Sequence, residues 1–158
     1  MTALRTLSAW AVLLIAVAAC QPWGCQRAGT EIEGPAPVQL LPGMSAGLAA
    51  SAETDRPILC FFTAEWCGWC DHMKQTALSD PKVARLAQRF VCVLVDTDQE
   101  AGVARRYSVQ GLPTVVFTTT QGAELGRVVG AQSPENLAAA MRSALNRVAW
   151  VEKGSVVR

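Results

Sequence analysis

The chain has 158 residues, enough for one domain of ordinary size with a tail. With 51% hydrophobic and 17% charged residues it is too apolar for a disordered chain, and 12 Gly and 8 Pro exclude a collagen-like or low-complexity one. The 14 Lys and Arg against 13 Asp and Glu leave a formal charge of +1, and no basic run exceeds Arg105-Arg106, so nothing in the charge pattern suits nucleic acid.

The apolar residues begin early. Arg5 precedes the run from Leu7 to Ala19, in which Ser8 is the only polar side chain. A positive start, an apolar stretch and small residues at its end describe a secretory signal over residues 1–19. A membrane-spanning helix needs about 20 apolar residues, and this run stops at Cys20-Gln21. Val17-Ala18-Ala19-Cys20 resembles the lipobox of bacterial lipoproteins, which makes Cys20 the expected lipid attachment point. An ordinary cleaved signal, since Ala16-Val17-Ala18 also fits the small-x-small rule, and an uncleaved anchor are the competing readings. Removing residues 1–19 takes Arg5 away and balances the remaining charges, so long-range steering of a charged partner is not expected. Export would place the other cysteines where disulfides form and persist.

Residues 20–42 read as an extended tether, with four prolines between Gln21 and Pro42 and no sustained apolar period. Cys25 lies in it without an obvious partner in the sequence, and an unpaired linker thiol is expected over a functional one. A globular domain is expected over 43–150, with a tail over 151–158. The spacing predicts a helix from Met44 to Glu53, closed by Asp55-Arg56-Pro57. Ile58 to Phe62 is a short continuous apolar run, as a strand buried on both faces would be. Cys67 to Gln75 and Pro81 to Arg89 read as helical, with Ser79-Asp80-Pro81 a break and a fresh start. Phe90 to Val95 is a second buried strand, Gln99 to Tyr107 a short helix, and Thr114 to Thr118 a third strand. Gln121-Gly122 turns that strand into a fourth, Glu124 to Val129. Ser133-Pro134-Glu135 starts a last amphipathic helix that runs to about Trp150. The alternating front half calls for parallel strands with right-handed crossovers, and the hairpin adds an antiparallel pair. The expected fold class is therefore α/β, a three-layer sandwich around a mixed sheet.

Between the first buried strand and the next helix stands Glu65-Trp66-Cys67-Gly68-Trp69-Cys70. Two cysteines three apart at a helix start bring both sulfurs onto one face of the first turn. The first sits near unsatisfied backbone N–H groups and the positive end of the helix dipole, which favour a thiolate. A thiolate attacks disulfides, so Cys67 is the expected nucleophile and Cys70 the buried resolving thiol. Half a zinc site is the competing reading, but zinc wants four ligands, no second Cys-x-x-Cys exists and His72 is the only histidine. His72 and Met73 directly after Cys70 also suit Cu(I), and a module that binds copper without turnover is the rival function. The blander reading puts His72 on a solvent face and Met73 in the core.

At this point the chain resembles the thioredoxin superfamily. Ile58 to Cys70 is similar to its strand-plus-active-site motif, and Tyr107-Ser108-Val109-Gln110-Gly111-Leu112-Pro113-Thr114 to its second signature, which carries a cis-proline beside the disulfide. The two motifs span most of residues 44–149. The segment Thr76 to Val83 is closer to exported thioredoxin-like proteins and to the C-terminal domain of the thiol:disulfide interchange reductase. The resemblance implies a thioredoxin-like fold and a monomeric thiol–disulfide oxidoreductase that uses its own Cys67–Cys70 disulfide, with no other cofactor and no metal. It implies Trp66, Trp69, Leu112 and Pro113 as a substrate groove. It also implies disulfide-bearing exported proteins as substrates, a membrane electron donor, and a lipid-anchored place on the periplasmic side of a bacterial membrane. A reducing direction is favoured, and an oxidase is the alternative. Where family members bury an Asp beneath the disulfide and a Lys on the next strand, this chain has Phe61 and Leu94. Glu65, Asp71 or a water is then the candidate proton relay. Gly68-Trp69 also replaces the usual Gly-Pro, so the family's redox potential does not carry over.

Cys60 and Cys92 lie inside the two apolar strands that the resemblance makes neighbours. The positions of Phe61 and Leu94 share one sheet face in the family, and side chains alternate along a strand. Cys92 then shares that face and Cys60 points to the other, which excludes a disulfide between them.

Overall fold

The computed structural model describes residues 36–155, and side chains as far as residue 150. The expected signal over 1–19, Cys20, Cys25, most of the tether and the end of the tail lie outside the described residues.

Strand β1 (Leu41–Pro42) is followed by α1 (Met44–Thr54), β2 (Ile58–Thr63) and α2 (Gly68–Gln75). A 3₁₀ turn (Ala77–Ser79) leads to α3 (Pro81–Ala87), then β3 (Val91–Asp96), α4 (Ala101–Arg106), β4 (Thr114–Thr118), β5 (Glu124–Val129) and α5 (Pro134–Ser155). The sheet order is β1-β3-β2-β4-β5, parallel from β1 to β2 and antiparallel from β2 to β5. This is the mixed sheet expected from the alternating front half and the closing hairpin.

Every residue of β2 and β4 is buried, as strands covered on both faces must be. Side-chain parity sorts them into two cores. Ile58, Cys60, Phe62, Val93, Val95 and Val116 pack with Met44 of α1 and Ala104 of α4. Leu59, Phe61, Cys92, Val115 and Phe117 pack with Met73 of α2, Val83 of α3, and Leu137 and Met141 of α5. Helices thus cover both faces, and the fold is the three-layer α/β sandwich.

Local chemistry sets the helix starts. The Asp80 carboxylate accepts from the N–H groups of Lys82 (2.7 Å) and Val83 (3.2 Å), and Pro81 gives up no needed donor at the first helical position. Helix α1 is capped from a distance: its Met44 N–H donates to Glu100 Oε2 at 3.0 Å. Gly47 lets α1 lie close on the sheet, because a Cβ there would overlap the Val93 Cγ2 methyl.

Several element ends depart from the predicted ones: α5 runs on to Ser155, so the expected tail over 151–158 begins as helix, and α3 stops at Ala87, short of Arg89. The last residues of the expected tether form β1, pairing Leu41 with Val93 and Pro42 with Leu94, and Val38 N–H donates to Leu78 O at 3.2 Å. Phe90 belongs to the turn before β3, its N–H bonded to Ala87 O at 2.9 Å.

Cys60 and Cys92 are free and buried. The register sets Cys60 opposite Val93 and Leu59 opposite Cys92, so the two thiols fall in different cores. That is the parity expected from the strands. Burial pushes each thiol from the ordinary 9.0 up to about 12, reinforced at Cys60 by Cys92 and Glu100 and opposed at Cys92 by Arg56.

A candidate dithiol active site

Strand β2 runs out at Thr63, and the chain turns on a bond from Cys67 N–H to Ala64 O at 3.1 Å. Cys67 is the N-cap of α2, with φ −87° and ψ 87°, and its Sγ accepts from the Cys70 N–H at 3.2 Å. The same N–H also donates to the Cys67 carbonyl oxygen at 3.0 Å, so the first sulfur takes a share of a bifurcated bond, which would help to stabilise a thiolate there. Cys67 and Cys70 are joined in a disulfide, with Cα atoms 5.2 Å apart. Cys67 is 5% exposed and Cys70 fully buried, so only the residue whose sulfur receives the helix donor meets solvent at all.

The surroundings divide sharply. Trp66 and Trp69 stand out at 72% and 67% exposure. Trp66 Nε1 donates to Asp98 Oδ2 at 3.0 Å, and Trp69 meets the His72 ring edge-on with centroids 5.7 Å apart. Beneath the sulfurs lies an apolar layer that includes Phe61, Ala64, Met73 and Ala77. No carboxylate is buried among the described residues. Glu65 is exposed, and Asp71 is exposed and bound to Lys74 Nζ at 3.0 Å. The two acids named as relay candidates therefore lie outside the buried layer. His72 is exposed and Met73 fully buried, so the two do not present one set of soft ligands.

The Leu112–Pro113 bond is cis. Pro113 is buried, and Leu112 is half-buried and packs on both cores. Phe62 pairs with Thr114 across the β2–β4 ladder, which brings Pro113 to the sheet end where β2 releases the Cys67 loop. Pro113 O accepts from Gly130 N–H at 2.8 Å. Beside it stands Val129, 58% exposed and paired with Thr114. The sequence reading missed Val129, whose one signal was an apolar residue at an outward strand position. It also missed Asp98, 32 residues from Trp66 and without any local mark.

A sequence model of the thioredoxin-like domain matches residues 44–145. The chain is 29% identical over 124 residues to the thiol:disulfide interchange protein DsbD of Pectobacterium atrosepticum, covering 75% of this chain and 21% of that one. It is 37% identical over 89 residues to thioredoxin H2-1 of Oryza sativa subsp. japonica, covering 54% of this chain and 59% of that one. The chain thus spans about a fifth of the first relative's length and under two thirds of the second's. Among solved structures, a Thermus thermophilus thioredoxin superposes with a TM-score of 0.61 at 32% identity, over 67% of this chain and 87% of that one. A structure described as DsbH oxidoreductase gives 0.60 at 25% identity, over 72% and 88%. The chain belongs to the thioredoxin-like family, and its Cys67–Cys70 disulfide at the head of α2 fits a redox motif.

Proposed function

We propose that the protein is an exported, membrane-tethered oxidoreductase that reduces disulfides of exported proteins. The observation that carries this reading is the asymmetry of the pair: Cys67 keeps a sliver of exposure and its sulfur receives the Cys70 N–H, while Cys70 is fully buried. In the reduced form Cys67 thiolate attacks a substrate disulfide, forming one S–S bond and expelling a substrate thiolate. Cys70 loses its proton and attacks Cys67, which closes the internal disulfide and releases the second substrate thiolate. Two electrons pass to the substrate. Trp66, Trp69, Leu112 and Pro113 line the approach, with Val129 beside them, and present apolar surface and a residue without an N–H to an extended chain.

The tether reading rests on the apolar run Leu7–Ala19 ending at Cys20. No helix among the described residues is long and apolar enough to cross a membrane. One acyl chain binds a membrane only marginally, so stable anchoring through Cys20 calls for more than one. A membrane partner would return electrons to Cys67–Cys70, in keeping with the likeness to the interchange protein.

The test is a pair of variants. Cys67→Ser abolishes exchange, because no attacking thiolate remains, and Cys70→Ser accumulates mixed disulfides with substrates. Equal activity of wild type and Cys67→Ser towards a protein disulfide would refute the assignment. For the tether, mass spectrometry of mature protein reads an acylated N-terminal Cys20, and an unmodified terminus would refute it.

A further inference from the structure

Thr63 ends β2, and its hydroxyl is the one buried side-chain polar atom among the described residues without a hydrogen-bond partner. The residue is 3% exposed. The other buried hydroxyls are all paired: Ser51 with Arg56 O, Tyr107 with Gly122 O, Thr114 with Gly111 O, and Thr118 with Thr119 O. The Thr63 backbone is also engaged, its carbonyl accepting from Thr97 N–H at 2.9 Å and from Thr97 Oγ1 at 3.2 Å. A lone buried hydroxyl carries an uncompensated desolvation penalty, which a partner gained in another state would relieve.

Parity says which face it occupies. Leu59 and Phe61 belong to the core that contains Cys67 and Cys70, while Ile58, Cys60 and Phe62 belong to the other. Thr63 is the next position on the Phe61 side and the last before the Ala64–Cys67 turn. Phe61 offers no polar atom at that depth, and Glu65 and Asp71 are exposed. The hydroxyl is thus the buried polar group on the face that the disulfide covers.

We propose that Thr63 is a redox-dependent hydrogen-bond donor to the Cys70 sulfur, reaching it directly or through one internal water. It is a positioning residue for the exchange reaction proposed above, and the assignment rests on that reading. While Cys67–Cys70 is closed, no acceptor, the two sulfurs included, lies within bonding geometry of the hydroxyl, which stays unpaired. When the pair opens, Cys70 first carries a proton and then, as that proton leaves for water, a negative charge that the hydroxyl can hold. The attack of Cys70 on Cys67 returns the hydroxyl to its unpaired state. Thr63 neither gains nor loses a covalent bond, and the electron pair still travels from the two sulfurs to the substrate.

A bond made only in the dithiol favours the dithiol. Removing it shifts the thiol–disulfide equilibrium towards the oxidised form. Thr63→Val keeps the shape and deletes the hydroxyl, whereas Thr63→Ser keeps the hydroxyl. Titration of the full chain against glutathione should show Thr63→Val displaced about fivefold towards disulfide, the size of one net hydrogen bond. Thr63→Ser should restore most of the difference. In single turnovers, the pH profile for Cys70 closure should move to higher pH in Thr63→Val and back in Thr63→Ser. A purely structural role predicts similar stability changes in both redox forms and an unmoved profile. Thr63→Val matching wild type in equilibrium and pH profile would overturn the assignment, as would Thr63→Ser behaving like Thr63→Val. The glutathione equilibrium is read on the pair itself, so absent turnover of protein disulfides by wild type would instead strike the exchange reading.

Discussion

Placing a carboxylate beneath the disulfide tests how dry that layer is. Phe61 is fully buried in the core that holds Cys67, Cys70 and Met73. Truncating a buried Phe typically costs about 3–5 kcal/mol. An unpaired buried carboxyl adds about 1–3 kcal/mol. Phe61→Asp should therefore lose about 4–8 kcal/mol, a large share of the roughly 5–15 kcal/mol that holds a domain together. Phe61→Leu, which keeps an apolar side chain, should lose about 1–2 kcal/mol and serves as the folded control. The pH dependence is the sharper readout. Burial raises the folded-state pKa of the new acid above its unfolded value of about 3.9. Between those two values the unfolded chain has released its proton and the folded chain has not. The variant's stability is then greatest below about pH 4 and falls by up to about 1.4 kcal/mol per pH unit as pH rises through the folded pKa. Urea unfolding of Phe61→Asp, Phe61→Leu and wild type from pH 4 to pH 8 measures this directly. A Phe61→Asp midpoint equal to wild type, with no added pH dependence, would show that water reaches residue 61 and that the apolar floor does not exist.

Cys60 and Cys92 should resist thiol reagents in the folded protein and react only on unfolding, because burial holds both near 12. The unfolded chain releases these protons first, so stability from the two thiols is intact below about pH 9 and is lost as pH rises through about 12. Comparing alkaline unfolding of wild type with Cys60→Ala/Cys92→Ala isolates that loss, and native thiols reacting as fast as unfolded ones would contradict it. Gly47→Ala should destabilise by about 1–3 kcal/mol despite Ala's better helix propensity, because its methyl meets Val93 Cγ2. Chemical denaturation checks this, and a more stable variant would mean that α1 does not lie so close on the sheet.

The strands were legible because burial on both faces writes a continuous apolar run, as in Ile58–Phe62 and Phe90–Val95. The opposite facing of Cys60 and Cys92 followed from counting along those runs once the strands were taken as neighbours. The helix over the redox pair was legible too, since Cys-x-x-Cys and the Pro81 start carry local signals. Strand β1 was not, because Leu41 and Pro42 are exposed edge residues with neither alternation nor burial to mark them. The Trp66–Asp98 bond depends on tertiary placement alone. Thr63 reads as the polar end of an apolar run, and only the surrounding packing shows that its hydroxyl is buried and unpaired. Glu65 and Asp71 carried the right chemistry for a relay, but both lie on the exposed side of the Cys67 turn and of α2.

The reduction potential of the Cys67–Cys70 couple tests the proposed reductant most directly. The Cys70 N–H would stabilise a Cys67 thiolate and so favour the dithiol, while the apolar layer that includes Phe61 penalises charge and favours the disulfide. Equilibration of purified protein with glutathione or dithiothreitol, followed by alkylation and mass analysis, gives the value. The reducing direction calls for a potential on the reducing side, closer to about −270 mV than to about −120 mV, and one near the latter, the value of a strong thiol oxidant, would contradict it.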